Sequence, residues 1–204
     1  ASFWQAIAKE FSTFKNIYGY GLMNEPHDLA PETKWFDMAQ ASINAIREVD
    51  TNTLIMVGGN DWSSAERWIE QSDTLKFLKD PANNLAFEAH VYFDKDASGT
   101  YKYSYEEEEC YPEKGIDRVK PFVEWIKQNK FHGFIGEYGI PDNDPRWNET
   151  LDLFLGYLQE NGINGTYWAA GPWWDTYFMA ITPKDGKDRP QMPIIEKYTS
   201  TLKK

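Results

Sequence analysis

The feature that most constrains the fold is a regular alternation of helical and extended segments along nearly the whole chain. Extended, apolar segments are predicted at 17–23, 53–57, 85–91, 133–137 and 164–168. Helical spacing of apolar residues predicts a first helix capped by Ser2 and further helices at 34–49, 64–69, 115–128, 147–159 and 193–201. Strands that alternate with helices favour a parallel sheet with helical crossovers. We therefore predict an α/β fold of about five βα units.

Composition bounds the domain count and the class of partner. The length of 204 residues fits one domain, so residues 1–204 are expected to form a single unit. A net charge of −11 disfavours nucleic acid and anionic membranes as partners, whereas a neutral polysaccharide is compatible with it. Nine Trp residues, with 16% aromatics in all, indicate either sugar-stacking surfaces or an aromatic-rich core.

Other general signals are few. Cys110 is the single cysteine, so no disulfide within the chain is possible. The absence of a disulfide does not identify the cellular compartment. No apolar run reaches the roughly 18–20 residues of a membrane span. The chain opens at Ala1, without Met and inside a predicted helix, which indicates processing or truncation.

Two glutamates stand where apolar strands end. One is Glu25, in the run 22–26, and the other is Glu137, which follows Phe134-Ile135-Gly136. An unpaired charge at the end of a buried strand is costly, so such residues indicate a site at the strand ends, where parallel folds place their chemistry. A pair of facing carboxylates is the catalytic apparatus of glycoside hydrolases. Solvent-exposed or capping glutamates are the alternative interpretation.

Several neighbours of these glutamates are candidate site residues. Asn24 offers an amide to a sugar hydroxyl, and Tyr138 is expected to hydrogen-bond Glu137. His90 and Tyr92 lie two apart on one strand, so both point to the same face and could reach a carboxylate. A lone histidine is also consistent with a satisfied core residue.

Aromatic residues after the strands are the candidates for sugar stacking. Trp168 ends the last strand among small residues that leave its face open, and Trp62 is a weaker candidate for another subsite. Trp173 and Trp174 either bind sugar or fill the space at the strand ends. His27 and His132 are interpreted as incidental. No His, Cys or acidic cluster has metal-ligand spacing, so neither a metal nor a cofactor is predicted, and the acidic run 106–109 is interpreted as a solvated loop.

The pattern resembles glycoside hydrolase family 5, within which the runs 21–27 and 167–171 are most similar to secreted endo-β-1,4-glucanases. The resemblance implies a (β/α)8 barrel, hydrolysis with retention, and an extracellular location. It also implies that Glu25 is the general acid/base and Glu137 the nucleophile. Asn24 would contact the 2-hydroxyl, His90 and Tyr92 would support the carboxylates, and Trp168 would form the floor of the central sugar site.

The chain departs from the family in strand number. The family has eight strands, and the five predicted here correspond to strands four to eight. The first three βα units are therefore expected to be absent. The Arg and His residues that the family carries on those early strands are expected to be absent as well. Open sheet edges seek another chain. We therefore expect either self-association through 17–23 and 164–168, or a complementing N-terminal fragment.

Four functional interpretations remain open. The first is an endo-acting β-1,4-glucan hydrolase, with activity impaired in this chain alone. The second is a catalytically dead carbohydrate-binding half-barrel, and the third is a mannan or xyloglucan hydrolase of the same family. A flavodoxin-like or Rossmann protein also has five units, but no glycine-rich phosphate loop follows any predicted strand.

Overall fold

A computed structural model describes residues 1–30 and 34–199. The helices are α1 (Ser2–Phe11), α2 (Trp35–Arg47), α4 (Trp68–Ser72), α5 (Lys114–Asn129), α6 (Arg146–Glu160) and α7 (Met192–Tyr198). The single turn α3 (Asn60–Ser63) lies between α2 and α4, and its residues 61–63 have positive φ angles. Two 3₁₀ helices span Asp73–Phe77 and Pro172–Trp174. The strands are β1 (Gly19–Gly21), β2 (Leu54–Gly58), β3 (Leu85–Tyr92), β4 (His132–Gly139) and β5 (Asn164–Tyr167). Every helix among residues 1–30 and 34–199 is too short or too polar to span a lipid bilayer.

The strands form one sheet in the order β1-β2-β3-β4-β5. Strand β1 pairs in parallel with β2, with Gly19 opposite Leu54, and β2 pairs in parallel with β3, with Ile55 opposite Leu85. Helices separate the strands along the chain, as crossovers between parallel strands require. The predicted α/β class, with five parallel strands in sequence order, is confirmed.

The chain divides into two compact units. The first comprises residues 1–89 and 121–134, and the second comprises residues 90–120 and 135–204. Strands β3 and β4 and helix α5 each contribute residues to both units. A single domain remains a prediction.

The core of the first unit is built around Trp68, whose side chain is fully buried. Its ring packs edge-on against Phe122 at 4.6 Å and against Trp125 at 5.5 Å between centroids. Phe87 of β3 contacts Trp125 in the same way at 5.0 Å. Edge-to-face packing suits the ring quadrupoles, so part of the aromatic excess belongs to the core.

The core of the second unit lies between its strands and helix α6. The predicted inward face of α6 is buried, and Phe154 packs against Phe93 and Tyr138 at 5.2 and 5.4 Å. Trp147 at the start of α6 packs against Tyr101 and Tyr105. The 3.6-residue apolar period therefore identified the buried face correctly.

Several predicted boundaries were wrong. Strand β1 covers only 19–21 rather than 17–23, although the Leu22 amide still donates to the Met56 carbonyl. The helix predicted at 64–69 begins instead at Trp68, since Ser64 has φ −59° and ψ 117° and Arg67 has φ −97° and ψ 13°, and neither pair of angles is that of an α-helix. Helix α1 begins at Ser2 itself, so Ala1 is the capping position. The last two residues of the helix predicted at 193–201 lie outside the described residues.

Candidate functional site

In the first unit, Glu25 lies in the short loop after β1. Its backbone has φ 44°, a left-handed conformation that is uncommon for a residue with a side chain. Pro26 next to it is buried, whereas Glu25 is half-buried and Asn24 is exposed. Strained backbone of this kind is concentrated at functional sites.

Gly58 at the end of β2 allows this loop to pack closely. A Cβ atom at Gly58 would lie 2.9 Å from the Met23 carbonyl oxygen and 2.9 Å from the Ser63 hydroxyl oxygen. Any side chain would therefore displace the loop that contains Glu25 or the turn that follows β2. The glycine positions both segments.

A cleft of about 490 Å³ adjoins the Glu25 loop in the first unit. The ring of His27 stacks on Trp62 with centroids 4.4 Å apart and planes 15° apart. Trp62 is held outward by the left-handed turn 61–63, and 42% of it remains exposed. The cleft is lined by Pro26, His27, Asp28, Leu29, Lys34, Trp35, Phe36, Asn60, Asp61, Trp62, Gln71 and Thr74. An aromatic surface with polar groups around it suits a sugar ring.

His27 was interpreted as incidental, but it lies in this cleft. Besides stacking on Trp62, its Nδ1 lies 3.0 Å from Oδ2 of Asp28. The available signal was its position two residues after Glu25, within the same loop.

In the second unit, Glu137 on β4 is joined by two side chains of β3. The Tyr92 hydroxyl donates a 2.7 Å hydrogen bond to Oε2 of Glu137, and Nδ1 of His90 lies 3.6 Å from the same oxygen. The Glu137 side chain is 15% exposed and that of His90 is 3% exposed. The sequence prediction that His90 and Tyr92 share a face is confirmed by these contacts.

Tyr92 is a permanent hydrogen-bond donor in this arrangement. Burial, and then the adjacent carboxylate of Glu137, raise the pKa of Tyr92 well above its usual range. The phenol therefore stays protonated at all ordinary pH values. A donor that cannot ionise favours the charged form of the carboxylate it contacts.

The prediction that Tyr138 hydrogen-bonds Glu137 was wrong. Successive side chains of a strand point to opposite faces, so Tyr138 points away from Glu137. Its ring packs against Phe154 and Tyr167 in the core, and burial raises its pKa to about 12. Tyr92, from the neighbouring strand, occupies the role expected of Tyr138.

An aromatic group continues from this carboxylate. It consists of Trp168, Trp174 and Tyr177, with Trp168–Trp174 centroids 4.9 Å apart and Trp174–Tyr177 centroids 5.0 Å apart. The Trp168 amide donates to the Tyr138 carbonyl at 2.8 Å, which anchors Trp168 to the end of β4. Burial raises the pKa of Tyr177, and the charge of Glu137 adds to the rise. Tyr177 was not among the predicted site residues, although it lies three residues after Trp174.

The adjacent residues Trp173 and Trp174 differ in exposure. Trp174 is half-buried and packs between Trp168 and Tyr177, whereas Trp173 is 87% exposed. Trp173 therefore does not fill any space at the strand ends, and that interpretation is wrong for this residue.

The loop 94–112 that follows β3 is ordered by two buried carboxylates. Asp94 is fully buried and accepts hydrogen bonds from the Gly99 and Thr100 amides. Glu108, which is 3% exposed, accepts from the Lys95 and Tyr103 amides. The prediction of a solvated acidic run was therefore wrong at Glu108. Its carboxylate satisfies buried backbone donors, which the sequence pattern does not reveal.

The predicted site residues are distributed over both units. Asn24, Glu25 and Trp62 belong to the first unit, and His90, Tyr92, Glu137, Trp168 and Trp174 belong to the second. Within the second unit the predicted group around Glu137 is brought together by direct contacts.

Comparison with known proteins gives consistent matches. Residues 1–173 match the family model described as cellulase (glycosyl hydrolase family 5). The chain is 36% identical over 190 residues to endo-beta-1,4-glucanase B of Emericella nidulans, covering 91% of this chain and 55% of that protein. It is 34% identical over 203 residues to a probable endo-beta-1,4-glucanase B of Aspergillus kawachii, covering 97% of this chain and 58% of that protein.

Solved structures agree with these matches. Endoglucanase Cel5A of Pseudomonas stutzeri in complex with cellobiose has a TM-score of 0.91 and 43% identity, covering 98% of this chain and 60% of that one. An endo-beta-1,4-glucanase of Xanthomonas axonopodis pv. citri has a TM-score of 0.84 and 34% identity, covering 97% and 65%. The chain spans little more than half the length of the Emericella nidulans and Aspergillus kawachii proteins.

Proposed function

The chain belongs to glycosyl hydrolase family 5, and from this premise we propose that it forms part of the catalytic domain of an endo-β-1,4-glucanase. Its five βα units are consistent with part of a (β/α)8 barrel. The observation that supports the activity best is the contact of Tyr92 and His90 with one oxygen of Glu137. It orients a carboxylate at a strand end, as a nucleophile requires.

Glu137 is proposed as the nucleophile of a double displacement. One carboxylate oxygen attacks the anomeric carbon as the bond to the leaving glucan oxygen breaks, which forms a covalent glycosyl–enzyme ester. The Tyr92 phenol donates to the charged carboxylate and holds it in one direction. Water later attacks the anomeric carbon and releases Glu137 as a carboxylate.

Glu25 is proposed as the general acid/base. It protonates the departing glucan oxygen and afterwards removes a proton from the attacking water. The proposal requires its carboxyl group to lie about 5–5.5 Å from that of Glu137, the spacing of retaining enzymes. The half-buried position and the strained backbone of Glu25 support a functional role.

The remaining predicted residues are proposed to bind the glucan. Asn24, adjacent to the acid/base, contacts a sugar hydroxyl. Trp168 and Trp174 form the aromatic floor beside Glu137. Trp62, backed by the stacked His27 ring, binds a sugar in the cleft of the first unit. Mannan and xyloglucan have similar backbones, and a panel of the three polymers distinguishes them by kcat/KM.

Hydrolysis of carboxymethylcellulose tests the activity, and Glu137→Gln and Glu25→Gln are the diagnostic variants. We expect Glu137→Gln to abolish turnover. With the unmodified chain, NMR of the first product should show the same anomeric configuration as the substrate. Glu160→Gln is the matched control, because this exposed glutamate at the end of α6 lies at the opposite end of the crossover from the strand ends. Turnover that survives in Glu137→Gln, or product of inverted configuration, would refute the mechanism.

A carbohydrate-binding remnant without turnover is the second candidate. Its support is the aromatic group of Trp168, Trp174 and Tyr177, which can bind a sugar ring whether or not a bond is cut. Glucan binding by the unmodified chain, with no reducing ends released, would favour it over hydrolysis.

Association and location complete the proposal. Among the described strands, β1 and β5 are the outermost in the sheet order, so we propose that a second chain or a complementing N-terminal fragment pairs with them. Because a β-glucan polymer does not cross a membrane, the protein is proposed to act outside the cell.

A further inference from the structure

The hydroxyl of Tyr101 connects the ends of the two strands that carry Tyr92 and Glu137. It accepts a hydrogen bond from the Phe93 amide at 2.9 Å and donates one to the Gly139 carbonyl at 2.6 Å. Phe93 directly follows Tyr92 in the chain, and Gly139 ends the strand that contains Glu137. One buried oxygen therefore sets the separation of the two backbones where the Tyr92 hydroxyl meets the Glu137 carboxylate.

The donor and acceptor roles in this link are fixed. Tyr101 is 8% exposed, and burial, together with the charge of Asp94, raises the pKa of its phenol well above the usual range. The phenol therefore stays protonated and donates to the Gly139 carbonyl at all ordinary pH values. Its ring packs edge-on against Trp147 with centroids 5.0 Å apart, which holds the hydroxyl in place.

A second contact from the same loop acts on the ring of Tyr92. Gly99 has φ 72°, and a Cβ atom there would lie 2.9 Å from Cδ1 and 3.0 Å from Cε1 of Tyr92. No side chain fits in that space, so the Gly99 backbone lies directly against the tyrosine ring. The contact limits how far the Tyr92 hydroxyl can move away from Glu137.

Asp94 holds both of these residues in place. Its fully buried carboxylate accepts hydrogen bonds from the Gly99 amide at 3.1 Å and from the Tyr101 amide at 3.3 Å. The Ser98 hydroxyl donates to the same carboxylate at 3.0 Å. A buried polar network with satisfied partners makes a segment rigid. Residues 94–101, which we call the Asp94 loop, are therefore pre-organised against the ends of β3 and β4.

Helix α5 fixes the end of β3 independently of the Tyr101 hydroxyl. The guanidinium of Arg118, which is 7% exposed, donates to the Tyr92 carbonyl and, at 3.0 Å, to the Lys95 carbonyl. Hydrogen bonds from a charged donor are stronger than those from a neutral one. Because the end of β3 is held in this way, the bond from Tyr101 to Gly139 positions the end of β4 relative to it.

We propose that Tyr101 is a positioning residue for the reaction, whose hydroxyl keeps β3 and β4 at the separation that the Tyr92–Glu137 hydrogen bond requires. The proposal rests on the proposed function, in which Glu137 is the nucleophile. Both partners of the Tyr101 hydroxyl are backbone groups, so Tyr101 acts on the carboxylate through the strand ends and Tyr92. A small misplacement of a reacting group slows the chemical step. Loss of the link should therefore lower the rate rather than weaken glucan binding.

The titration of Glu137 tests the link whether or not the chain turns over. Tyr101→Phe removes the hydroxyl and keeps the ring. We expect the pKa of Glu137 to rise by about 0.5 pH unit, because a displaced Tyr92 hydroxyl favours the charged carboxylate less. Carboxyl-carbon NMR across a pH series measures the shift, and Glu137→Gln assigns the resonance by its absence.

Tyr105→Phe is the matched control. Tyr105 lies in the loop after β3, is 6% exposed and packs against Trp147 at 4.7 Å, as Tyr101 does at 5.0 Å. Its hydroxyl lies 3.0 Å from Oγ1 of Thr150 on α6, away from the strand ends. The control therefore removes a buried hydroxyl without removing the link, and the Glu137 titration should stay unchanged. Equal titrations of Glu137 in the two variants would overturn the proposal.

Kinetics give an independent measurement where the chain turns over. Tyr101→Phe should lower kcat on carboxymethylcellulose about three- to tenfold with KM nearly unchanged, because the orientation of the nucleophile matters in the transition state. In a Tyr92→Phe background, Tyr101→Phe should cause no further loss, since residues that act through one hydrogen bond are not additive. Losses that multiply would show that Tyr101 acts by another route and would contradict the proposal.

Gly99→Ala tests the same loop through its other contact, and it decides the question if Tyr101→Phe does not fold. The added methyl group displaces the Tyr92 ring, so the pKa of Glu137 should again rise. Gly186→Ala is its control, because Gly186 also has φ 72° but open space where a Cβ would lie. The same Glu137 titration in both alanine variants would refute the positioning role. An unmodified chain that folds without cutting glucan would instead refute the hydrolytic function, and the titrations would still decide the role of Tyr101.

Discussion

The Tyr92 hydroxyl and Oε2 of Glu137 are 2.7 Å apart, although the two residues are separated by 45 positions in the chain. Tyr92 is the last residue of β3, and Glu137 lies near the end of β4. Both residues are at the carboxyl ends of neighbouring strands, where a parallel fold brings distant positions together. The contact converts a strand-end glutamate into an oriented carboxylate.

Tyr92→Phe should lower kcat/KM for glucan about ten- to hundredfold. A hydrogen bond to a charged group contributes about 1.5–3 kcal/mol, and the phenylalanine ring retains the packing of Tyr92 without the hydroxyl. The acidic limb of the pH–rate profile should move to higher pH, because the carboxylate loses a donor that favours its charged form. Initial rates across a pH series measure both effects.

Tyr138→Phe is the control for that variant. Tyr138 is adjacent to Glu137 but its ring lies in the core against Phe154 and Tyr167. The pH–rate profile of Tyr138→Phe should match that of the unmodified chain. A profile shifted equally in both variants would show that the Tyr92 contact has no particular role.

Asp80→Ala should reduce the free energy of unfolding by about 3–5 kcal/mol, because it leaves the Arg47 guanidinium buried without its carboxylate. Arg47 binds Asp80 through two hydrogen bonds of 2.7 and 2.9 Å, and the two side chains are 4% and 2% exposed. Urea denaturation measures the loss.

Asp152→Ala is the matched control for the buried pair. Asp152 pairs with Lys197, but these side chains are 33% and 56% exposed, so water already screens the interaction. The expected loss is at most about 1 kcal/mol. Similar losses in the two variants would contradict the importance of burial at Asp80.

Asp50 should make stability depend on acid pH. Burial alone would raise its pKa, but hydrogen bonds from Thr53, Asn52 and Tyr20 outweigh burial and lower the pKa of Asp50 to about 2 from 3.8. The folded chain therefore binds this proton less readily than the unfolded chain. The resulting stabilisation, on the order of 2 kcal/mol, is complete above about pH 4 and is lost as pH falls through about 2.

Thermal unfolding of Asp50→Asn at several pH values measures this contribution. The variant should have a lower Tm than the unmodified chain at pH 7, and the difference should shrink between pH 4 and pH 2. A difference that stays constant over this interval would exclude the carboxylate as its source.

The terminal strands should make the isolated chain associate. Size-exclusion chromatography with light scattering is expected to give masses above 23.7 kDa that rise with concentration. Tyr18→Lys should shift the population towards monomer, because Tyr18 is 67% exposed beside β1 and a charge there opposes edge pairing.

Tyr103→Lys is the control for the edge variant, since Tyr103 is 60% exposed in the loop after β3. It should leave the mass distribution unchanged. A monodisperse monomer of the unmodified chain that unfolds cooperatively would contradict the proposed association.

The sequence predicted secondary structure best in long segments with a regular apolar pattern. Helix α5 was predicted at 115–128 and spans 114–129, and its inward residues Val119, Phe122, Val123 and Ile126 are all buried. Strand β3 was predicted at 85–91 and spans 85–92. In such segments every local preference agrees with the burial that the fold imposes.

Short segments were predicted less well. Residues 61–63 are left-handed without any glycine among them, and they place Trp62 beside His27. Local preference does not predict three consecutive left-handed residues. Packing of the surrounding structure offsets the energetic cost of this conformation. The buried Glu108 was missed for the same reason, since its backbone partners, Lys95 and Tyr103, are defined by the loop path.

From sequence alone, the alternation of strands and helices, the family, and the presence of a glutamate after β1 and on β4 could be determined. Those features depend on local preference and on residue identity. Only the tertiary structure decided that Tyr92, rather than Tyr138, donates to Glu137, and that Trp173 is exposed while Trp174 is packed. The reason is that hydrogen-bond partners and burial are set by distances between segments far apart in the chain, which periodicity and composition do not encode.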